Sequence, residues 1–372
     1  MNKRVKNELL MLCGLSAIAL YATKNRRLSL IPAFAAGYLL TQKDKPESFR
    51  DQSVVITGGS RGLGLALAYQ LVNENAHVTL IARDEDELKR AQKKLQALGH
   101  GLVHYVVCDV TDSSQLANAI ESAAQKFDGI DMMINNAGTI VIGPWESMVK
   151  EDYESQMRIH LYSVVESTRL VLPYLRRAGS GKRIVNICSM GGKIAVPHMI
   201  PYDVSKFALS GFSQGVAAEL YHEGISVTTI YPGPLRTGSP IQAVFKGDHD
   251  KEFVWFQLTD ILPGLSTSVQ SAAKEIIKAA RERRFELLPF LPIKMRLGVA
   301  TFFPELVALT LTFLNRLLPK GQSSEYKTGA QSRTLFDKSL ITKPFINRAH
   351  RLEEESNQSP KDDPKRNTGL LH

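Results

Sequence analysis

From residue 53 onward, short apolar runs alternate with longer stretches in which apolar residues recur at helical spacing. The runs are residues 53–57 (SVVIT), 77–82 (HVTLIA), 102–108, 132–135, 183–187, 226–231 and 285–288. Their length and β-branched content predict strands. Residues 63–73, 84–98 and 113–127 carry the helical period between the first four. Apolar strands separated by single helices predict a parallel sheet buried on both faces. With right-handed crossovers the fold class is α/β, a doubly wound Rossmann-type parallel sheet with helices on both faces. Ligands of such sheets sit beyond the carboxyl ends of the strands, so the residues just after each strand are the informative ones.

The flanks break this alternation. Residues 9–22 and 28–40 are apolar, separated by Lys24, Asn25, Arg26 and Arg27. Each run falls short of the ~20 residues of a comfortable membrane span. Residues 1–48 therefore read as a membrane anchor or interfacial hairpin, with membrane-surface contact through residues 1–45. Ordinary packing helices and a cleaved signal peptide, with small residues at Ala17 and Ala19, are the alternatives. Cys13 is a poor lipoprotein site, because Met11 and Leu12 precede it. Residues 49–288 form the predicted catalytic domain, with a substrate lid at about 237–264. Residues 289–343 predict a helical extension interrupted by Pro289, Pro292 and Pro304. The polar, charged stretch 344–372 predicts a disordered tail.

Composition changes this picture little. The chain has 372 residues, 44% of them hydrophobic, which excludes wholesale disorder. The net charge of +9 is spread widely, and no nucleic-acid module or aromatic-interleaved basic patch is present. A second basic group, Lys278, Arg281, Arg283 and Arg284, falls on a predicted helix end. An anionic membrane surface accounts better for the N-terminal basic excess. Cys13, Cys108 and Cys188 are far apart and show no metal-ligand spacing, so they read as buried free thiols in a reducing compartment, with no metal.

Candidate chemistry begins after the first strand, with Thr57-Gly58-Gly59-Ser60-Arg61-Gly62-Leu63-Gly64. A strand must turn sharply here into a helix whose first amides face a pyrophosphate, and glycines permit the turn and the close approach. After the second strand, where an acid would hold the ribose hydroxyls of NAD, stand Ala82 and Arg83. Arg61 and Arg83 together suit a 2′-phosphate, so NADP (NADPH) is expected over NAD. The plainer alternative for Arg83 is a solvated helix-entry residue.

Further along stand Asn135-Asn136-Ala137-Gly138, Ser189, Tyr202-Asp203-Val204-Ser205-Lys206 and Tyr231-Pro232-Gly233. With the glycine turn, these resemble the short-chain dehydrogenase/reductase family over roughly residues 53–284, in the family's order and spacing. The resemblance implies Tyr202 as acid/base, Lys206 as its electrostatic partner and ribose ligand, and Ser189 as the group holding the substrate oxygen. It implies that Asp109 and Val110 border the adenine, that Asn136, Ala137 and Gly138 line the cofactor cleft, and that Pro232, Gly233 and Thr237 border the nicotinamide amide. Homodimers or homotetramers are implied as well. The residue types suit this work. A phenol with a pKa of about 10 needs a nearby cation to serve near neutrality, and Lys206 lies one helical turn from Tyr202. One departure is His160, which occupies a position where the family has a water-holding asparagine. Histidine can donate and accept, so His160 is taken as its stand-in, against a plain packing role. Free nicotinamide dinucleotides are cytoplasmic, so the catalytic domain is expected there, membrane-associated.

The substrate side is apolar. Pro240, Ile241, Val244, Phe245, Phe253, Val254, Trp255, Phe256 and Leu258 fall in the lid, and Val196, His198, Met199 and Ile200 precede Tyr202. A small hydrophobic substrate, lipid, steroid-like or similar, is expected to undergo carbonyl–alcohol interconversion. An ordinary packing helix is the alternative for the lid. The rival functions are a catalytically silent NADP-binding scaffold or redox sensor, and an isomerase, dehydratase or epimerase of the same fold. The last usually carries a TGxxGxxG turn, which is absent here.

Overall fold

A computed structural model describes residues 3–23, 26–41, 47–179, 181–262, 266–288, 298–339 and 342–358. Seven strands form one parallel sheet: β1 (Ser53–Thr57), β2 (His77–Ala82), β3 (Val103–Val107), β4 (Met132–Asn135), β5 (Arg183–Ile187), β6 (Ser226–Ile230) and β7 (Glu286–Leu287). Their spatial order is β7-β6-β5-β4-β1-β2-β3. The order reverses between β1 and β4, which opens a crevice at their carboxyl ends. Register aligns those ends, with Thr57 opposite Ile81 and Ile56 opposite Ile134.

Side chains alternate across the sheet and build a core on each face. Val54, Ile56, Leu80 and Ile134 pack with α3 (Gly62–Asn73), α4 (Glu85–Gln96) and α10 (Val269–Arg281). Val55, Ile81, Met133 and Ile184 pack with α5 (Ser113–Lys126), α7 (Ser163–Arg177) and α8 (Ile200–Leu220). Helix α6 (Lys150–Met157) joins α7 through one π-helical turn, Arg158–Tyr162. Much of the basic group at the end of α10 is paired within the chain, while Lys278 is exposed. Arg281 pairs with Glu74 and lies over Phe49, and Arg284 pairs with Glu282.

The expected lid is a packed structure. It contains the turn Ser239–Gln242, the short strand Val244–Phe245 and α9 (His249–Ile261). Phe245 and Phe253 are buried in a third apolar cluster, while Trp255 and Phe256 border a cavity. The expected disorder from residue 344 is corrected by the same cluster. Residues Lys343–Glu355 form a helix, and Phe345, Ile346, Ala349 and Leu352 pack into the cluster with Phe336. Their spacing is that of one helix face, which outweighs the polar composition of the segment. Residues 359–372 of the expected tail lie outside the described residues. In the extension before it, α11 (Pro304–Leu317) begins with Pro304 in the first turn, where its missing N–H costs nothing. The helix Lys343–Glu355 is α12.

Residues 1–48 form a separate compact unit. It contains α1 (Lys3–Ala22) and α2 (Arg26–Thr41), which pack on each other. Met11, Leu12, Ile18, Ile31, Phe34 and Tyr38 are exposed on this pair. Among the described residues, no helix is long and apolar enough to cross a membrane.

Candidate active site

The glycine turn is built for close backbone approach. Gly58 has φ +65° and donates its N–H to the Ile81 carbonyl at 2.7 Å, which folds the turn back over β2. A Cβ on Gly58 would lie 2.9 Å from Asn136 Nδ2, and one on Gly64 would collide with the Gly58 carbonyl. Asn136 Nδ2 donates to the carbonyls of Thr57 and Gly58, each at 3.0 Å. Thr57 Oγ1 accepts from the amides of Asn136 and Ala137. These bonds pin the β1 and β4 loops to each other on either side of the crevice. No side chain caps the start of α3, whereas Asp84 caps α4 and Asp112 caps α5. The first amides of α3 thus lack the side-chain oxygen that the neighbouring helices have; the Gly62 N–H donates to the Ser356 carbonyl at 2.9 Å, and the positive helix end beyond it suits an anion.

At the β2 end, Arg61 and Arg83 do not stand alone. Arg61 pairs with Glu87 at 2.9 Å, and Ser60 Oγ donates to the same carboxylate at 3.0 Å. Arg83 lies 3.8 Å from Asp109. Burial lowers the Arg83 guanidinium from its ordinary value, and Asp109 opposes that shift. The expected absence of an acid therefore holds only for the position directly after β2. Glu87, one helical turn into α4, brings a buried carboxylate to the same corner.

The catalytic candidates converge from three elements. Ser189 follows β5, and Tyr202 and Lys206 lie one turn apart on α8. Ser189 Oγ accepts from the Gly191 N–H at 3.0 Å. Burial pushes the Tyr202 phenol above its ordinary range, and the neighbouring Ser189 hydroxyl works against it. Lys206 Nζ donates to the Ile187 carbonyl at 3.0 Å and lies 5.6 Å from the centre of the Tyr202 ring. Burial pulls Lys206 down to about 8. His160 sits in the π-helical turn, 1% exposed, with its ring edge-on to Tyr202 at 5.3 Å. Its Nε2 accepts from the Thr139 N–H at 3.3 Å, and its Nδ1 lies 2.8 Å from Ser205 Oγ. Both ring nitrogens are therefore held by protein groups.

All these residues border one cavity of about 1340 Å³. Every sequence-predicted site residue lines it except Thr57 and Gly64, which shape the turn from behind. The volume exceeds the roughly 300–1,000 Å³ of a single-ligand pocket, which suits a dinucleotide together with a substrate. The glycine cradle, the α3 N-terminus without a side-chain cap and the two arginines fit such a cofactor. Besides the candidate trio the lining includes apolar residues, among them Met199, Trp255 and Phe256, and Leu306, Leu311 and Leu314 of α11. Val196 borders the cavity as expected, but His198 turns away and bonds Glu252 at 2.8 Å. Ile200 opens α8 outside the lining.

Among the lining residues that escaped sequence reasoning are Glu87, Asp260 and Gln358, and the α11 residues Leu306, Leu311 and Leu314. Glu87 was legible as a third acid in the first turn of α4. Asp260 ends the lid helix, and burial pushes its carboxyl up to about 7. Gln358 follows the predicted catalytic domain by some seventy residues, and no local pattern marks it.

Fold and site together define a Rossmann-type oxidoreductase. The sequence matches the short chain dehydrogenase family over residues 52–244, more than half of the chain, and the protein belongs to that family. It is 38% identical over 190 residues to the oxidoreductase BOA17 of Botryotinia fuckeliana, covering 50% of this chain and 68% of that one. It is 34% identical over 187 residues to the 3-ketodihydrosphingosine reductase of Bacteroides thetaiotaomicron, covering 50% and 65%. The chain thus spans about two thirds of the length of these relatives. Among solved structures, L-sorbose reductase from Gluconobacter frateurii, complexed with NADPH and L-sorbose, superimposes with a TM-score of 0.58 at 26% identity. That match covers 64% of this chain and 93% of the other.

Proposed function

We propose that the protein is an NADPH-dependent reductase of a carbonyl group on a long apolar substrate, acting at a membrane surface. The observation that carries this reading is one continuous cavity, with Ser189, Tyr202 and Lys206 on its floor and leucines of α11 along its outer wall. NADPH over NADH is supported by Arg61 and Arg83 at the β2 end, and by the NADPH complex of the similar sorbose reductase. An apolar substrate is supported by the α11 wall and by the relative named a ketodihydrosphingosine reductase. The exposed apolar side chains of α1, α2 and α11 support membrane-surface contact.

The residues divide the chemistry as follows. The cofactor, when bound, supplies the hydride. Ser189 donates a hydrogen bond to the substrate oxygen and holds it against Tyr202. Tyr202 gives its phenolic proton to that oxygen as the alcohol forms. The Lys206 ammonium stabilises the phenolate left behind. Burial keeps the Tyr202 phenol protonated in the resting site, the form a reductase needs.

The test is oxidation of NADPH and NADH by the purified full chain, supplied with a long-chain 3-keto lipid in vesicles or with L-sorbose. NADPH-dependent turnover of the lipid ketone is expected. Turnover of the sugar alone would overturn the apolar reading. Tight NADPH binding without turnover of any carbonyl would favour the silent scaffold.

A further inference from the structure

Residues 356–358 leave the end of α12 and run directly over the glycine turn. The Ser356 carbonyl accepts from the Gly62 N–H at 2.9 Å. Asn357 Nδ2 donates to the Ser60 carbonyl at 2.8 Å and to the Glu87 carbonyl at 3.3 Å, and its Oδ1 accepts from Arg90 Nε. Gln358 Nε2 donates to the Thr237 carbonyl at 3.2 Å. The segment thus ties the turn after β1, the start of α4 and the loop after β6, three loops that surround the cofactor cleft. Each of its residues is 5% exposed. Its root is firm, because Ala349 is buried in the third apolar cluster and Arg333 reaches the buried Glu353.

One atom in this arrangement is left over. Gln358 Oε1 is buried and has no hydrogen-bond partner, and Gln358 borders the cavity between Gly62 and Thr237. An unpaired buried amide oxygen costs roughly 1–3 kcal/mol, so such atoms mark a missing partner. The Nε2 bond to Thr237 fixes which end of the amide is the oxygen. An amide oxygen can only accept, and phosphate oxygens offer nothing to donate. The partner must carry a hydroxyl or an amide N–H.

We propose that residues 356–358 are a clasp of the dinucleotide site, and that Gln358 accepts a hydrogen bond from a ribose hydroxyl or the carboxamide of the bound dinucleotide. The proposal rests on the reading of the cavity as a dinucleotide site. The clasp lies 297 residues from the turn it closes, measured from Asn357 to Ser60. It makes the far end of the chain part of the cofactor site.

The experiment compares four proteins: the full chain, a chain ending after Gln358, a chain ending after Glu355, and Gln358→Ala. Dissociation constants for NADPH come from titration calorimetry, and exchange of the Gly62 amide is followed without cofactor. Ending after Gln358 is expected to leave NADPH affinity unchanged. Gln358→Ala is expected to weaken it roughly three- to ten-fold, and ending after Glu355 by more than ten-fold. The last protein should also show faster Gly62 exchange with an unaltered circular dichroism spectrum. Equal affinity in all four proteins would overturn the clasp alone. Tighter binding after truncation at Glu355 would also overturn it, because the segment would then be occupying the site. A full chain that binds neither NADPH nor NADH would overturn the dinucleotide reading itself.

Discussion

His160 Nδ1 lies 2.8 Å from Ser205 Oγ, and Ser205 Oγ in turn donates to the Tyr202 carbonyl at 2.6 Å. This chain of bonds fixes the tautomer. Nε2 accepts from the Thr139 amide, so the proton of a neutral ring sits on Nδ1 and points at Ser205. Burial, and then the charge of Lys206, hold His160 well below its ordinary value, so the ring stays neutral. His160 therefore ties the β4 loop to the α8 turn bearing Tyr202, and on the proposed mechanism it acts as a positioning residue. An asparagine amide both donates and accepts and can keep both ties, whereas leucine leaves the Thr139 N–H unpaired, Ser205 Oγ keeping its bond to the Tyr202 carbonyl. His160→Asn is expected to keep kcat within a few-fold, and His160→Leu to lower kcat about ten-fold and destabilise the fold by roughly 1–3 kcal/mol. Neither is expected to shift the alkaline limb of the pH profile. Equal kcat for both variants would show that the ties do not matter.

On the proposed mechanism that alkaline limb is expected from Lys206. Burial sets it at about 8 in the cofactor-free protein, so its ammonium is lost as pH rises through that value. Losing it removes the charge that stabilises a Tyr202 phenolate. kcat/KM for reduction is expected to be flat below about pH 7 and to fall above about 8. Lys206→Met should abolish this limb together with most activity. Tyr202→Phe should lower kcat by roughly 10²–10⁴-fold while NADPH still binds. A limb that persists in Lys206→Met, measured on its residual rate, would assign it to another group.

Asp203 gives a stability prediction that is independent of catalysis. Its Oδ2 accepts from the Val196 N–H at 2.6 Å, and Oδ1 is buried without a partner. Burial pushes the carboxyl up to about 8 from 3.8. The folded chain then binds more protons than the unfolded chain between these values. The contribution of the group is fully present below about 4 and is lost as pH rises through about 8. Asp203→Asn removes the titration but keeps an acceptor. The variant should gain thermal stability relative to the parent as pH is raised from 5 to 8.5. Melting curves whose difference does not change with pH would contradict the raised carboxyl.

How much of this was legible beforehand follows from the range of each interaction. The strand–helix alternation and the glycine turn are local, and β1 to β6 and α3 to α5 lie within a residue or two of their sequence positions. Ser189, Tyr202 and Lys206 were legible because each follows a strand or opens a helix at a fixed offset. The sequence pairs Arg61 with Arg83 as phosphate ligands and gives no sign of the Glu87 pairing, because that partner comes from a different helix. The helix Lys343–Glu355 was read as disordered because composition outweighed the apolar face of Phe345, Ala349 and Leu352. Gln358 was illegible, since its place depends on that helix docking first.

The Arg61–Glu87 pair bears directly on cofactor choice. Glu87 already satisfies Arg61, while Arg83 sits 3.8 Å from a carboxylate and is the less committed cation. Arg83→Ala is expected to weaken NADPH about ten-fold and to leave NADH nearly unchanged. Arg61→Ala should cost less, because Glu87 already offsets the charge of Arg61. Glu87→Gln frees Arg61 and should raise the NADPH-to-NADH preference. Parallel loss of both cofactors in Arg83→Ala would remove the 2′-phosphate argument.

Helix α11 presents two faces, and each predicts a different readout. Leu311 and Leu314 border the cavity, whereas Leu309 and Phe313 do not, being 69% and 60% exposed. An alkyl chain against Leu311 and Leu314 gains roughly 0.8 kcal/mol for each methylene it buries. Replacing both by Gln should raise KM for a long-chain ketone about ten-fold, with kcat/KM for a short ketone unaltered. Leu309→Gln with Phe313→Gln should leave both constants intact for substrate in detergent. It should reduce turnover only when the substrate is presented in vesicles, since an exposed apolar face gains its stabilisation from a bilayer surface. If the outer-face pair lowered activity equally in detergent, α11 would be acting as a wall of the site on both sides and not as a contact with lipid.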